Sequence, residues 1–287
     1  MEQKKFSIII PTYNENEKTI ELLESIENSE FEENLFSLEK IYVIASGTTT
    51  KLNKYCKISN LPVTLVKERK RNGKAHAINL GLEKMDTKYI ILMSGDISLE
   101  KDTIQKMLEK LTGKGVGIVT GRPIPSNNNK EFVNQYIKLV WKLHDLISQK
   151  EPKAGEIIAF KNLLDRIPED TAADEELIKV FLMMQGYTSK YAREAKINNN
   201  GPTNCSDLFE QRRRICIGHL DLEQRTDYNV PTTDNLIIFD AMIRYIEMEG
   251  IKPFLIAAVI FEFFARFKGF IDYYIFNRNP YKWKKVN

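Results

Sequence analysis

The chain has 287 residues, of which 43% are hydrophobic and 28% charged, with a formal net charge of +3. That length supports a sizeable core and that composition excludes a disordered chain, while so small a net charge leaves partner choice to local clusters. Three widely spaced cysteines (Cys56, Cys205 and Cys216), with no CxxC pair, exclude a disulfide framework or a zinc site and point to a reducing compartment.

The N-terminal MEQKKFSIII lacks the apolar core and cleavage site of a signal peptide, so a cytosolic chain is expected. FSIII (6–10), KIYVIA (40–45), PVTLV (62–66) and KYIILM (88–93) are short, β-branched and apolar on both faces, as strands covered by helices on both sides are. Between them EKTIELLESIENS and GKAHAINLGLEKM carry apolar residues at helical spacing, and EKDTIQKMLEKLT follows the last, within a helix predicted over Leu99–Thr112. This alternation predicts an α/β fold with a mostly parallel sheet, whose ligands bind at the carboxyl ends of the strands. The loops to read are therefore PTYNEN, ASGTTT, RKRNGKA and MSGDIS.

After GVGIVTGRPIP, residues 130–150 form one amphipathic helical pattern and GEIIAF a short strand. DEELIKVFLMMQGY reads as a helix closed by Gly186, and SKYAREA as a strand. From about residue 203 the pattern is helical. PFLIAAVIFEFFARFKGF is long and apolar but interrupted by Glu262, Arg266 and Lys268, too broken to cross a bilayer, which needs roughly 20 apolar residues. With the aromatic and basic tail YYIFNRNPYKWKKVN it suits a helix in the membrane interface; packing on the domain or on another subunit is the rival reading.

In MSGDIS, Asp96 follows a strand end, where a carboxylate can hold a divalent cation or cap the next helix. The acids 174–176 open a helix, where the dipole favours them, and one placed beside a diphosphate could act as a general base. Arg69, Lys70, Arg71 and Lys74 surround Gly73 as a phosphate site or a solvated basic turn. Arg212, Arg213 and Arg214 fan over about 200° of a helix, so one or two can face a site while the rest meet solvent or acidic lipid. Neither interleaved aromatics nor a basic domain accompanies them, so nucleic acid is not an expected partner. His144 and His219, single on helical patterns, read as structural.

In order and spacing, these loops resemble family 2 glycosyltransferases, the inverting enzymes of the GT-A fold, over residues 5–225, much like the cytosolic catalytic domain of cellulose-synthase-like and poly-N-acetylglucosamine-synthase-like enzymes. The resemblance implies a catalytic domain over 1–225, a mixed sheet with helices on both faces, and a helical extension over 226–287 for membrane contact or oligomerisation. It places Pro11, Thr12, Tyr13, Glu15, Ser46, Gly73, Lys74, Asn79, Ser94, Gly95 and Asp96 around the donor. Asp96 becomes the ligand of Mg2+ or Mn2+, Glu175 the base with Asp174 before it, and Gly155 and Glu156 the border of donor sugar and acceptor. QRRRI resembles the Gln-x-x-Arg-Trp motif, putting Gln211 and Arg214 near the acceptor end and the diphosphate.

Three departures qualify it. Ala45 and Ser46 stand where the family has base-binding carboxylates, which leaves UDP or GDP open; Ser94 replaces the first acid of Asp-x-Asp; and Ile215 replaces the tryptophan. The implied function is metal-assisted single displacement from a nucleotide sugar to a lipid-linked or glycan acceptor, at the cytoplasmic face of a membrane. A non-catalytic sugar-nucleotide-binding protein is the alternative that the departures motivate.

Overall fold

The computed structural model describes residues 3–126 and 131–278. In chain order the elements are β1 (Lys4–Tyr13), α1 (Asn16–Glu27), β2 (Phe36–Ser46), α2 (Thr50–Ile58), β3 (Val63–Lys67), α3 (Lys74–Leu82), β4 (Tyr89–Met93) and β5 (Ile97–Leu99). They continue with α4 (Thr103–Leu111), β6 (Val116–Pro125), α5 (Phe132–Ser148), β7 (Ile157–Lys161), α6 (Asp174–Met184) and β8 (Thr188–Asn199), then α7 (Cys205–Thr226), α8 (Asn235–Glu249) and α9 (Phe254–Tyr274).

The strands form one mixed sheet in the order β3-β2-β1-β4-β7-β6-β8-β5. The first four are parallel; β7 runs antiparallel to both β4 and β6, and β5 antiparallel to β8. Period-two alternation divides the core between the two faces. Ile8, Ile10 and Ile91 pack with Leu22 and Leu23 of α1 and Met107 of α4, whereas Ile9, Ile90 and Leu92 pack with Ile78 of α3 and Leu177 and Ile178 of α6. The strands β1, β2 and β4 are thus covered on both sides, whereas β3, expected to be covered likewise, stands at the sheet's edge with no fully buried residue.

Two local expectations are corrected. Thr50–Ile58 is helical although its sequence gave no sign of it, because only Leu52 of that helix is buried. The helix expected from Leu99 starts at Thr103, because Ile97–Leu99 is drawn into the sheet by Ile197–Asn199. The C-cap at Gly186 is present: φ is +87°, the Gly186 amide donates to Met183 and the Tyr187 amide to Leu182.

α9 lies along α7 through small residues; a Cβ on Gly269 would come within 3.0 Å of the Arg213 carbonyl. The charges that interrupt its apolar run face inward. Glu262 accepts from Arg212 Nε at 2.9 Å, from Arg266 Nε at 2.6 Å and from the Tyr136 hydroxyl of α5, while Asp272 accepts from Arg213 and from Lys268 at 2.9 Å. Solvent or acidic lipid is the expectation for arginines turned away from a site; Arg212 and Arg213, largely buried, instead pair with α9 and fix it. On the other side Ile256, Ile260, Phe263, Phe267, Phe270 and Tyr274 are exposed, within about 80° of one another at 100° per residue. Packing on the domain thus holds for one face of this helix, and the other face is exposed. Among the described residues no helix is long and apolar enough to cross a membrane; the tail beyond Arg278 lies outside them.

Candidate active site

The carboxyl ends of β1, β2 and β4 lie side by side, with Thr12 opposite Ala45 and Tyr13 opposite Ser46. Pro11, Thr12 and Tyr13 thus stand at the rim, and Glu15 is the N-cap residue of α1. The Thr12 and Thr19 hydroxyls are 2.8 Å apart, and Thr19 donates to the Gly95 carbonyl at 3.1 Å. This ties the Ser94–Asp96 turn to β1. A Cβ on Gly95 would approach Thr12 to 3.0 Å, so a side chain there would push the turn away from β1 by a few tenths of an ångström.

Asp96 precedes a strand rather than a helix, which removes the capping alternative. Because β7 is antiparallel to β4, its amino end lies beside the carboxyl end of β4, and Ser94 N donates to the Glu156 carbonyl at 2.9 Å. Gly155 and Glu156 are brought to the rim in this way. Burial, then the charge of Asp96, pushes the Glu156 carboxyl up to about 7, against the pull of Lys74.

Gly73, at φ +114°, starts α3 and aims Lys74 across the rim. Lys74 Nζ donates to Glu175 and to Ser94 Oγ at 3.4 Å, and lies 3.8 Å from Asp174 Oδ2. Burial works against its charge, but Asp174, Glu175 and Glu156 overcome it and raise the Lys74 pKa. The two adjacent acids are pushed apart. Asp174, with a side chain 4% exposed, is raised to about 8 by burial and by the charge of Glu175. Glu175 resists the same burial because the ammonium of Lys74 holds it below the ordinary range. One carboxyl keeps its proton at neutral pH while its neighbour is ionised, the division of labour that an acid–base site needs.

Arg214 is buried on α7, and its pKa falls to about 10 through burial and through the charges of Arg213 and Arg71. Arg71 belongs to the loop before α3, so α7 and that loop place two guanidiniums near each other, an arrangement suited to an anion. Gln211 is half-buried on the same helix. Asn79 does not face the rim with an open amide: it donates to the Ile167 carbonyl and accepts from the Ile167 amide, both at 2.8 Å, holding the segment before α6. His144, held near 3 by burial and Lys153, and His219, also lowered by burial, are neutral buried residues.

Sequence reasoning missed three features. Arg71 stacks on Tyr13, with its guanidinium carbon 3.9 Å from the ring centroid. Glu176, the third acid of its run, turns away from the rim to Lys179 and accepts from the Ala154 amide at 2.8 Å. Glu68 is buried beneath the basic loop. None carries a local sequence mark, since each depends on a partner brought by the sheet.

The sequence model described as Glycosyl transferase family 2 matches residues 7–174, more than half of the chain. The chain belongs to glycosyl transferase family 2. It is a glycosyltransferase of the GT-A fold. A mannosyltransferase from Pyrobaculum calidifontis, solved in complex with GDP-Man and Mn2+, superposes with a TM-score of 0.62 at 22% identity, covering 92% of this chain and 74% of that one. Residues 1–349 of S. aureus TarS superpose at 0.50 with 17% identity, covering 91% and 80%. The poly(ribitol-phosphate) β-N-acetylglucosaminyltransferase TarS of Staphylococcus aureus is 26% identical over 140 residues, 44% of this chain, which matches only 23% of that relative's length.

Proposed function

We propose that this family 2 glycosyltransferase moves a sugar from a nucleotide sugar to a hydroxyl of a lipid-linked or membrane-near glycan acceptor in one inverting displacement. The observation that carries the reading is the meeting of Lys74, Asp174 and Glu175, from two elements, opposite Asp96 and Glu156. Glu175 accepts the proton of the acceptor hydroxyl as its oxygen bonds to the anomeric carbon. The bond from that carbon to the phosphate oxygen breaks, and its electron pair leaves with the nucleoside diphosphate. Asp174, pushed up to about 8 by burial and by the charge of Glu175, keeps its proton at neutral pH beside that base. Lys74, Arg71 and Arg214 supply positive charge for the departing diphosphate.

Asp96 and Glu156 present hard oxygen ligands close enough for each charge to oppose the other, a donor set that fits Mg2+ or Mn2+. Bound there, the cation would neutralise charge on the diphosphate. Among the described residues no group of three acidic, histidine or cysteine side chains forms a cation site. Two carboxylates thus imply weak binding of the ion before the donor's phosphate oxygens complete its shell.

The exposed stripe of α9 supports an acceptor at a membrane surface. The test is incubation of the full chain with UDP-, GDP- and dTDP-sugars and Mn2+, reading released nucleoside diphosphate and the anomeric configuration of the product. One donor should be consumed with inversion. Retention of configuration overturns single displacement, and no turnover of any donor with lipid or glycan acceptors overturns the reading itself.

A further inference from the structure

The acid pair of α6 is reached through residues 162–173, which run from β7 to α6 without regular secondary structure. Neither a ladder nor a helix fixes such a segment, so its course depends on side chains that meet its backbone and its charges. These come from two helices that also carry rim residues. From α3, the Asn79 amide holds the Ile167 backbone at two points, donating to its carbonyl and accepting from its N–H, each at 2.8 Å. From α7, Arg225 donates to both Asp170 oxygens, at 3.0 and 2.9 Å, while its Nε lies 2.9 Å from Asp221 Oδ2 on the same helix. Nearer the acids α7 meets the segment's backbone directly: a Cβ on Gly218 would stand 3.1 Å from the Ala172 carbonyl.

The two tethers differ in what they contribute. Asn79 is buried and satisfies two backbone groups that would otherwise lack partners. The Arg225 and Asp170 side chains are 32% and 59% exposed, and a pair so open to solvent adds little to stability. Its two-pronged geometry fixes a direction instead. Asp170 lies one helical turn of sequence before Asp174, so the pair sets the course of the chain just ahead of the acids. Lys74 opens the helix that carries Asn79, and Arg214 lies on the helix that carries Arg225. The segment is therefore registered to both cationic sides of the rim.

We infer that Asn79 and Arg225 are positioning residues for the transfer: by holding residues 162–173 against α3 and α7, they set the Glu175 carboxylate opposite Lys74 and in line with the acceptor hydroxyl. The inference rests on the reading of Glu175 as the base, given above, and adds two residues that act through it.

The experiment pairs initial rates of the full chain, with the donor that the wild type consumes, with calorimetric titration of the matching nucleoside diphosphate at one fixed Mn2+ concentration. Asn79→Ala should lower kcat at least about tenfold and Arg225→Ala at least about threefold, because a misplacement of about 1 Å can cost about 10²-fold in rate. Nucleoside diphosphate affinity should stay within about threefold in both, a split that general structural damage would not produce. In the Glu175→Gln background Arg225→Ala should lower kcat by less than about a further twofold, since residues acting through one group are not additive. Wild-type kcat in a folded variant overturns the role of its residue. Affinity falling as far as kcat, or a full multiplicative loss in the Glu175→Gln background, overturns the inference. If Asn79→Ala does not fold, Arg225→Ala, at a pair open to solvent, decides by the same criteria. Wild-type turnover in Glu175→Gln, or no turnover of any donor by the wild type, overturns the reading above and the inference with it; impaired Glu175→Gln beside unimpaired Asn79→Ala and Arg225→Ala overturns the positioning alone.

Discussion

Lys74 and Glu175, from the start of α3 and the first turn of α6, form an ion pair at the rim of the sheet. A carboxylate held by an ammonium is a poor base, so in the proposed reaction the pair must loosen before Glu175 accepts a proton, with diphosphate oxygens competing for Lys74. Their substitutions should therefore separate. Glu175→Gln should lower turnover by about 10²–10⁴-fold, with nucleoside diphosphate affinity changed less than about threefold. Lys74→Met should weaken that affinity by at least about tenfold, as expected for a charge-assisted contact. Initial rates and calorimetry on both proteins check this; equal effects on affinity would refute the division of roles.

Asp174 sets a pH dependence of stability. Its folded pKa, near 8, lies above the unfolded carboxyl value of 3.8, so between the two the native chain holds a proton that the unfolded chain has released. The stabilisation is fully present below the unfolded value and is lost as pH rises through 8. The slope is at most about 1.4 kcal/mol per pH unit. Ligand-free thermal unfolding should show Tm falling from pH 5 to pH 9, and Asp174→Asn should flatten the fall. A parallel decline in both proteins would exclude Asp174 as its source.

Much of this was legible in the chain. The apolar strands β1, β2 and β4 showed themselves because cover on both faces demands side chains such as Ile8, Ile9 and Ile10 in unbroken sequence, while β3 showed itself by its β-branched run alone. Asp96 and Glu175 were legible as candidates because their loops follow strand ends or open helices. The partners were not. Three successive arginines cannot share a helix face, but nothing local shows that Arg212 meets Glu262, 50 residues on, or that Arg213 meets Asp272, 59 residues on. Glu68 sits in a run of charges, ERKR, that resembles any solvated turn; only the register of β2 against β3 turns its side chain inward.

Behind the rim, Lys179 is 0% exposed and joins α6 to the strap at 151–156. Its ammonium pairs with Glu176 and donates to the Pro152 carbonyl and the Tyr228 hydroxyl, both at 2.7 Å, while Glu176 Oε2 accepts from Ala154 N at 2.8 Å. Removing Lys179 leaves the buried Glu176 carboxylate with Lys153, 3.4 Å away, as its remaining cation. Lys179→Met should thus cost about 1–3 kcal/mol, the loss of charged hydrogen bonds rather than of the whole pairing, and adding Glu176→Gln should recover part of it. Urea unfolding measures both. Because the strap carries Glu156, Lys179→Met should also lower turnover in protein that is still folded; wild-type stability and turnover would show that the network positions nothing.

The exposed stripe of α9 makes the last prediction. Phe263 and Phe267 stack at 6.0 Å on the face away from α7, where neither contributes to the contact with the domain. An aromatic stripe of this kind suits the interface of a bilayer, while the inward pairs of Glu262 and Asp272 keep the helix from inserting across it. Each buried phenylalanine contributes roughly 1.5–3 kcal/mol, so replacing both with aspartate should reduce vesicle binding by well over about tenfold. Transfer to a soluble acceptor analogue should stay near the wild-type rate, because the rim lies on the other side of α7. Sedimentation with phosphatidylglycerol–phosphatidylcholine vesicles, compared with sedimentation velocity without lipid, separates the two occupants of this face. Lost vesicle binding with an unchanged oligomeric state supports the membrane surface. Dissociation of an oligomer with vesicle binding intact, or absent from the outset, assigns the stripe to a second copy of the chain.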